Sequence, residues 1–103
     1  MIVNRRTFNV KPGLMEEAVA LLKAGFEAFP AYTGAYRIYA WSILAAAPGD
    51  VMVVEFEYED LEAYQRLWTE WAASPGAAAY FEKSGELFDR GGSSEIWELA
   101  ASR

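Results

Sequence analysis

The stretch Arg6-Thr7-Phe8-Asn9-Val10-Lys11-Pro12-Gly13 decides the fold. Its first five residues continue an alternating strand that runs from Ile2 to Lys11. Lys11-Pro12-Gly13 then stops the strand, because Pro cannot donate to a ladder and Gly permits a sharp reversal. A helix follows at once. On the strand, Ile2, Asn4, Arg6, Phe8 and Val10 share one face, and Val3, Arg5, Thr7, Asn9 and Lys11 share the other. The first face is the more apolar at its distal end and is expected to meet the core. It therefore carries two polar residues, Asn4 and Arg6, in line with core side chains.

Outward from this stretch, Leu14 to Phe29 reads as a helix with Leu14, Ala18, Leu21, Leu22, Gly25 and Phe29 on one stripe. Glu16 and Glu17 occupy the first turn, where the helix dipole favours them, and Pro30 ends it. Tyr36 to Ala46 reads as a second strand, aromatic on both faces and expected to be buried on both. Pro48-Gly49-Asp50 reads as a tight turn into a third strand, Val51 to Tyr58, with Met52, Val54, Phe56 and Tyr58 on its apolar face. Asp60 is placed as an N-cap. Leu61, Tyr64, Leu67, Trp68 and Trp71 follow helical spacing behind it. Ser74-Pro75-Gly76 breaks that helix, which resumes over Ala77 to Phe88. Gly91-Gly92-Ser93 is a loop, and Ser94 to Ala100 is the last strand.

The order β-α-β-β-α-β defines an α+β, ferredoxin-like arrangement in one domain, residues 1–103. It implies a four-stranded antiparallel sheet in the order 4-1-3-2, with both helices on one face. The uncovered face would hold Val3, Val51 and Val53. An apolar face of that kind is expected to meet a second copy in a symmetric homodimer. Arg5 is expected to pair there with Glu55 or Glu57.

Composition narrows the function classes. The 103 residues are 53% apolar and 16% aromatic, which suits a packed domain. Net charge is −6, so a nucleic-acid partner is not expected. The chain has neither Cys nor His. That removes disulfides, thiol nucleophiles, the commonest general base and the usual zinc ligands. No run approaches a membrane span and the first residues lack a signal-peptide core, so a cytoplasmic protein without membrane contact is expected.

Two segments carry a family likeness. The stretch Arg6 to Gly13 resembles the opening motif of bacterial NIPSNAP-like proteins, members of the dimeric α+β barrel superfamily to which antibiotic biosynthesis monooxygenases belong. Val54-Glu55-Phe56-Glu57-Tyr58-Glu59-Asp60-Leu61-Glu62-Ala63-Tyr64 resembles that family's third strand entering its second helix. Trp71 to Phe81, with Ser74-Pro75 ahead of Tyr80-Phe81, is similar to its later segment. The resemblance implies a homodimeric α+β barrel with a ligand pocket between the helices and the sheet. It also implies cofactor-independent oxygenase, cyclase or isomerase chemistry on an aromatic or polyketide-like substrate. Where many relatives have a His on the third strand, this chain has Val54, so His-based chemistry is not carried over.

The residues themselves leave three readings open: an enzyme, a non-catalytic binder, and a structural dimer whose aromatics are core. For an enzyme, Arg6 is the group that would hold an anion, because its fixed fork suits carboxylates, phenolates and enolates. Tyr58 would transfer a proton if Arg6 lowered its pKa. Asn4, Tyr39, Trp41, Tyr64, Trp68 and Trp71 are the candidate substrate contacts. The competing reading pairs Arg6 with a carboxylate such as Glu98 or Glu62, or lets it reach solvent at the edge, since a buried guanidinium is costly without a partner. No cofactor or metal is expected.

Overall fold

The computed structural model describes residues 1–44 and 50–103. Strand β1 covers Ile2–Val10, helix α1 Met15–Glu27, strand β2 Tyr36–Tyr39 and strand β3 Asp50–Tyr58. Helices α2 (Leu61–Ala72) and α3 (Pro75–Leu87) follow, and strand β4 spans Ser93–Glu98. The sheet is antiparallel in the order β2-β3-β1-β4, as the element order implied.

Each boundary has a local cause. Behind β1, the Leu14 N–H donates to the Lys11 carbonyl at 3.1 Å across Pro12-Gly13. Gly13 has φ +81°, the pattern of a type II turn with Pro second and Gly third. The Asp60 side chain accepts from the Ala63 N–H at 2.8 Å and caps α2. The later helix does not wait for Ala77. Pro75 takes its first position, where a missing N–H costs nothing, and the Ser74 hydroxyl donates back to the Trp71 carbonyl at 2.6 Å. Ser74-Pro75 thus ends one helix and begins another.

The core forms between β1, β3 and the helices. Met52 and Val54 are fully buried beneath Ala18 and Leu22, with Val10, Met15, Phe56 and Tyr58 around them. The face of β1 read as inward is the inward one: Asn4 has no exposed surface and Val10 has almost none. Residues 3, 5, 7 and 9 of β1 and 51, 53, 55 and 57 of β3 share the sheet's open face.

Two expectations fail here. The second strand is far shorter than Tyr36 to Ala46 and is not buried on both sides. It lies at the sheet edge beside β3 alone, where the helices reach only one of its faces. Trp41 to Leu44 are exposed, and Trp41 has φ +52°, which breaks the extended run. Residues 45–49, and with them most of the expected tight turn, lie outside the described residues. The open-face ion pair is also different. Glu57 pairs with Arg37 of β2 at 3.1 Å, and Glu55 accepts from the Tyr39 hydroxyl at 3.2 Å. Arg5 lies opposite Glu55 and Glu95, but neither carboxylate reaches it within ion-pair distance. Glu55 and Glu57 reach diagonally toward β2 instead.

Candidate functional site

A half-open cavity of about 110 Å³ lies between the sheet and the helices. Arg6, Phe8, Phe56 and Tyr58 form its floor on β1 and β3. Helix α1 contributes Leu22, Gly25 and Phe26, with Phe29 and Tyr32 just behind it. The opposite wall is Leu67, Trp68 and Trp71 of α2, with Tyr80 and Phe81 of α3. The Ser74-Pro75 break folds α3 back, so that Trp71 meets Tyr80 and Phe81 edge-on, each at 5.5 Å.

Arg6 is the one cation of this lining. Its Nε–H donates to the Asn4 Oδ1 at 3.0 Å, and its Cζ stands 4.2 Å from the centre of the Trp68 ring and 5.8 Å from that of Phe56. One edge and one face of the guanidinium are thus occupied by neutral partners. Among the described residues no carboxylate pairs with it, so neither Glu98 nor Glu62 is its partner. The terminal Nη groups remain for something else.

Asn4 explains why Arg6 sits there. Its Nδ2 donates to the Glu95 carbonyl at 2.8 Å and to the Ser94 Oγ at 3.2 Å, while its Oδ1 accepts from Arg6. Both of its N–H donors and its oxygen are engaged within the protein, and it does not line the cavity. Asn4 is therefore a strut between β4 and Arg6 rather than a substrate contact.

Tyr58 lines the cavity, but its acidity moves the other way from the expectation. Burial, and then neighbouring Tyr64, push its phenol up to about 12, and Arg6 opposes this only in part. Burial likewise raises Tyr80, again against Arg6. Both are neutral donors at ordinary pH. The Tyr58 side chain is nearly buried and makes no protein hydrogen bond, yet no fully buried polar atom among the described residues lacks a partner. Its hydroxyl therefore keeps some accessible surface. Tyr32 is different: its hydroxyl bridges the Ala35 and Glu57 carbonyls at 2.7 and 2.9 Å.

These shifts give a test. A phenol whose folded pKa is raised stabilises the fold below its unfolded value, about 10, and loses that contribution as pH climbs through the folded value. Ultraviolet titration is expected to show the Tyr32, Tyr58 and Tyr80 phenols ionising above the ordinary phenol value of about 10, with stability falling as pH climbs from about 10 to about 12. Ionisation of all six tyrosines together near pH 10 would contradict a sheltered site.

Of the other candidates, Trp68 and Trp71 line the cavity. Tyr39 and Trp41 do not; they are 50% and 62% exposed, Tyr39 on the open face and Trp41 beyond the end of β2. Tyr64 stands behind Tyr58, edge-on at 5.2 Å, and does not reach the space. Tyr80, Phe81, Phe26 and Phe29 also line the cavity, although they were not among the candidates. Their helical spacing was visible, but it reads equally well as core.

No family model matches the chain, and no curated protein does. Solved structures do. An uncharacterized NIPSNAP domain protein from Burkholderia xenovorans superposes with a TM-score of 0.76 at 18% identity, over 98% of this chain and 96% of the other. A NIPSNAP-like domain protein from the same organism gives 0.73 at 23% identity, over 99% and 88%. A NIPSNAP family protein from Agrobacterium tumefaciens gives 0.74 at 17% identity, over 94% and 90%. The chain has the NIPSNAP fold. Within that NIPSNAP fold, the cavity described above lies on the helix-covered side of the sheet, opposite the open face.

Proposed function

We propose that this NIPSNAP-like chain is a cytoplasmic, self-associating binder of small aromatic molecules, which it takes into the helix–sheet cavity. The observation that carries the reading is Arg6, held in an otherwise aromatic cavity by Asn4 and Trp68 with no acid to neutralise it. A guanidinium so placed keeps donor sites that an acceptor group on a ligand can fill. The cavity volume favours a single ring over a polycyclic polyketide, since a cavity on the order of 150 Å³ accepts benzene.

Binding is favoured over proton-transfer catalysis. No carboxylate lines the cavity among the described residues, the chain has no His, and the phenols are held neutral. A second reading draws on Arg6 itself: a cofactor-independent oxygenase, cyclase or isomerase acting on a substrate that ionises readily, with Arg6 stabilising the phenolate or enolate. Turnover of such a substrate is its test.

Self-association is supported by the open face, where Val3, Val51 and Val53 are flanked by exposed Trp97 and Tyr39. A second sheet laid on this face would cover them.

The four tryptophans make one experiment sufficient. With p-cresol as ligand, the indole N–H signals of Trp68 and Trp71 are expected to shift saturably, while those of Trp41 and Trp97 stay in place. Sedimentation of the same sample at the mass of two chains supports the dimer. Unmoved Trp68 and Trp71 signals, or the mass of one chain at micromolar concentration, would remove the corresponding half of the proposal.

A further inference from the structure

Resting on that reading of the cavity, the geometry points to a ligand class: we infer that the site selects planar monoanions of single-ring size, namely monocyclic aromatic monocarboxylic acids. Three observations carry this. First, the Arg6 Nε edge is taken by Asn4 and one guanidinium face is covered by Trp68. What remains is the end-on pair of Nη groups, a fork that matches the two coplanar oxygens of a carboxylate. Second, Arg6 is the sole cation of the lining, in a chain of net charge −6. One positive charge neutralises one negative charge; a phosphate dianion would bring a second charge into an aromatic cavity that has nothing to balance it. Third, the remaining walls are ring faces and edges, Phe26, Phe56 and Trp71 among them, at a volume that suits one ring.

Tyr58 and Tyr80 fit the same class. Both phenols are neutral and lie within the influence of the Arg6 charge. They can donate to carboxylate lone pairs that the guanidinium leaves free. A neutral amide offers one oxygen acceptor where a carboxylate offers two, and its N–H groups would face the donors of Arg6.

The test is calorimetric titration of the intact chain with benzoate, benzamide, p-cresol and phenylphosphonate, the last at a pH where it is a dianion. Benzoate is expected to bind at least about tenfold more tightly than benzamide or phenylphosphonate, the scale of one charge-assisted hydrogen bond. Arg6→Met should abolish that preference while p-cresol still binds. Arg6→Lys, which keeps the charge but loses the fork, should recover only part of it. Circular dichroism and melting confirm that both variants fold. Phenylphosphonate binding as well as benzoate, or a benzoate affinity indifferent to Arg6→Met, overturns the inference. If p-cresol still binds in that case, the aromatic cavity stands and only its selectivity falls. If p-cresol also fails to bind the parent chain, the cavity reading fails with it.

Discussion

Replacing Asn4 by Leu is expected to cost about 1–3 kcal/mol, the range for leaving polar groups without their partners. The two side chains are close in size, so the cost is not a cavity. It comes from three interactions lost together: the Glu95 carbonyl, the Ser94 hydroxyl and the Arg6 Nε–H each lose a partner. Asn4 has no exposed surface, whereas Ser94 and Glu95 lie on the exposed edge strand, so water offsets part of the loss there. For a domain of this size each kcal/mol moves the melting temperature by roughly 4–8 °C. A fall of at least about 4 °C is therefore expected in a thermal scan. The effect should also reach the cavity, because Arg6 loses one of the two contacts that aim it. Asn4→Asp separates the two roles: it keeps an acceptor for Arg6 but removes both donors to β4. It should lose stability as well, with the new carboxylate occupying the charge that a ligand would otherwise meet. Wild-type melting in Asn4→Leu would mean that the strut carries no weight.

Gly92→Ala is expected to be the more damaging of two matched glycine changes. Gly92 has φ +90° and Gly13 has φ +81°, so any side chain at either position meets backbone strain. That strain alone costs about 1–2 kcal/mol. At Gly13 a new Cβ would meet no atom within 4 Å, so strain is the whole cost. At Gly92 the same Cβ would run into the backbone carbonyl of Thr7, which cannot swing aside as a side chain would. β4 begins at Ser93, so relieving the collision would pull the strand off β1 and drag Ser94 away from Asn4. Equilibrium denaturation should place Gly92→Ala at least about 1–2 kcal/mol below Gly13→Ala, a margin on the scale of one further strained residue. Equal losses in the two variants would show that β4 adjusts freely to the intrusion.

Both variants act through residues whose placement was unevenly legible. Asn4 and Arg6 could be assigned to the core face of β1 by counting, because a strand alternates its side chains strictly. Asp60 was recognisable as a cap because its acceptor lies next to the N–H groups it satisfies. Counting could not show that Asn4 spends all its hydrogen bonds internally while Arg6 keeps its outer fork open. That depends on Ser94 and Glu95, some ninety residues away along the chain. The same limit governed the aromatics. Trp68 and Tyr39 look alike as sequence, yet α2 turns one into the cavity and the edge position of β2 leaves the other on the open face. Arg5 reads as the partner of Glu55 or Glu57 across the central strands; Arg37 and Tyr39, on the neighbouring strand, take Glu57 and Glu55 diagonally instead.

By itself, then, the sequence determined the element order, the antiparallel sheet order and the two faces of β1, because each follows from local periodicity and turn chemistry. It also excluded thiol and imidazole chemistry by composition. Only the tertiary structure decided which aromatics enclose space and which pack flush, and that Arg6 meets a neutral Asn and an indole rather than an acid. Those outcomes depend on contacts between elements distant in sequence, which no local spacing encodes.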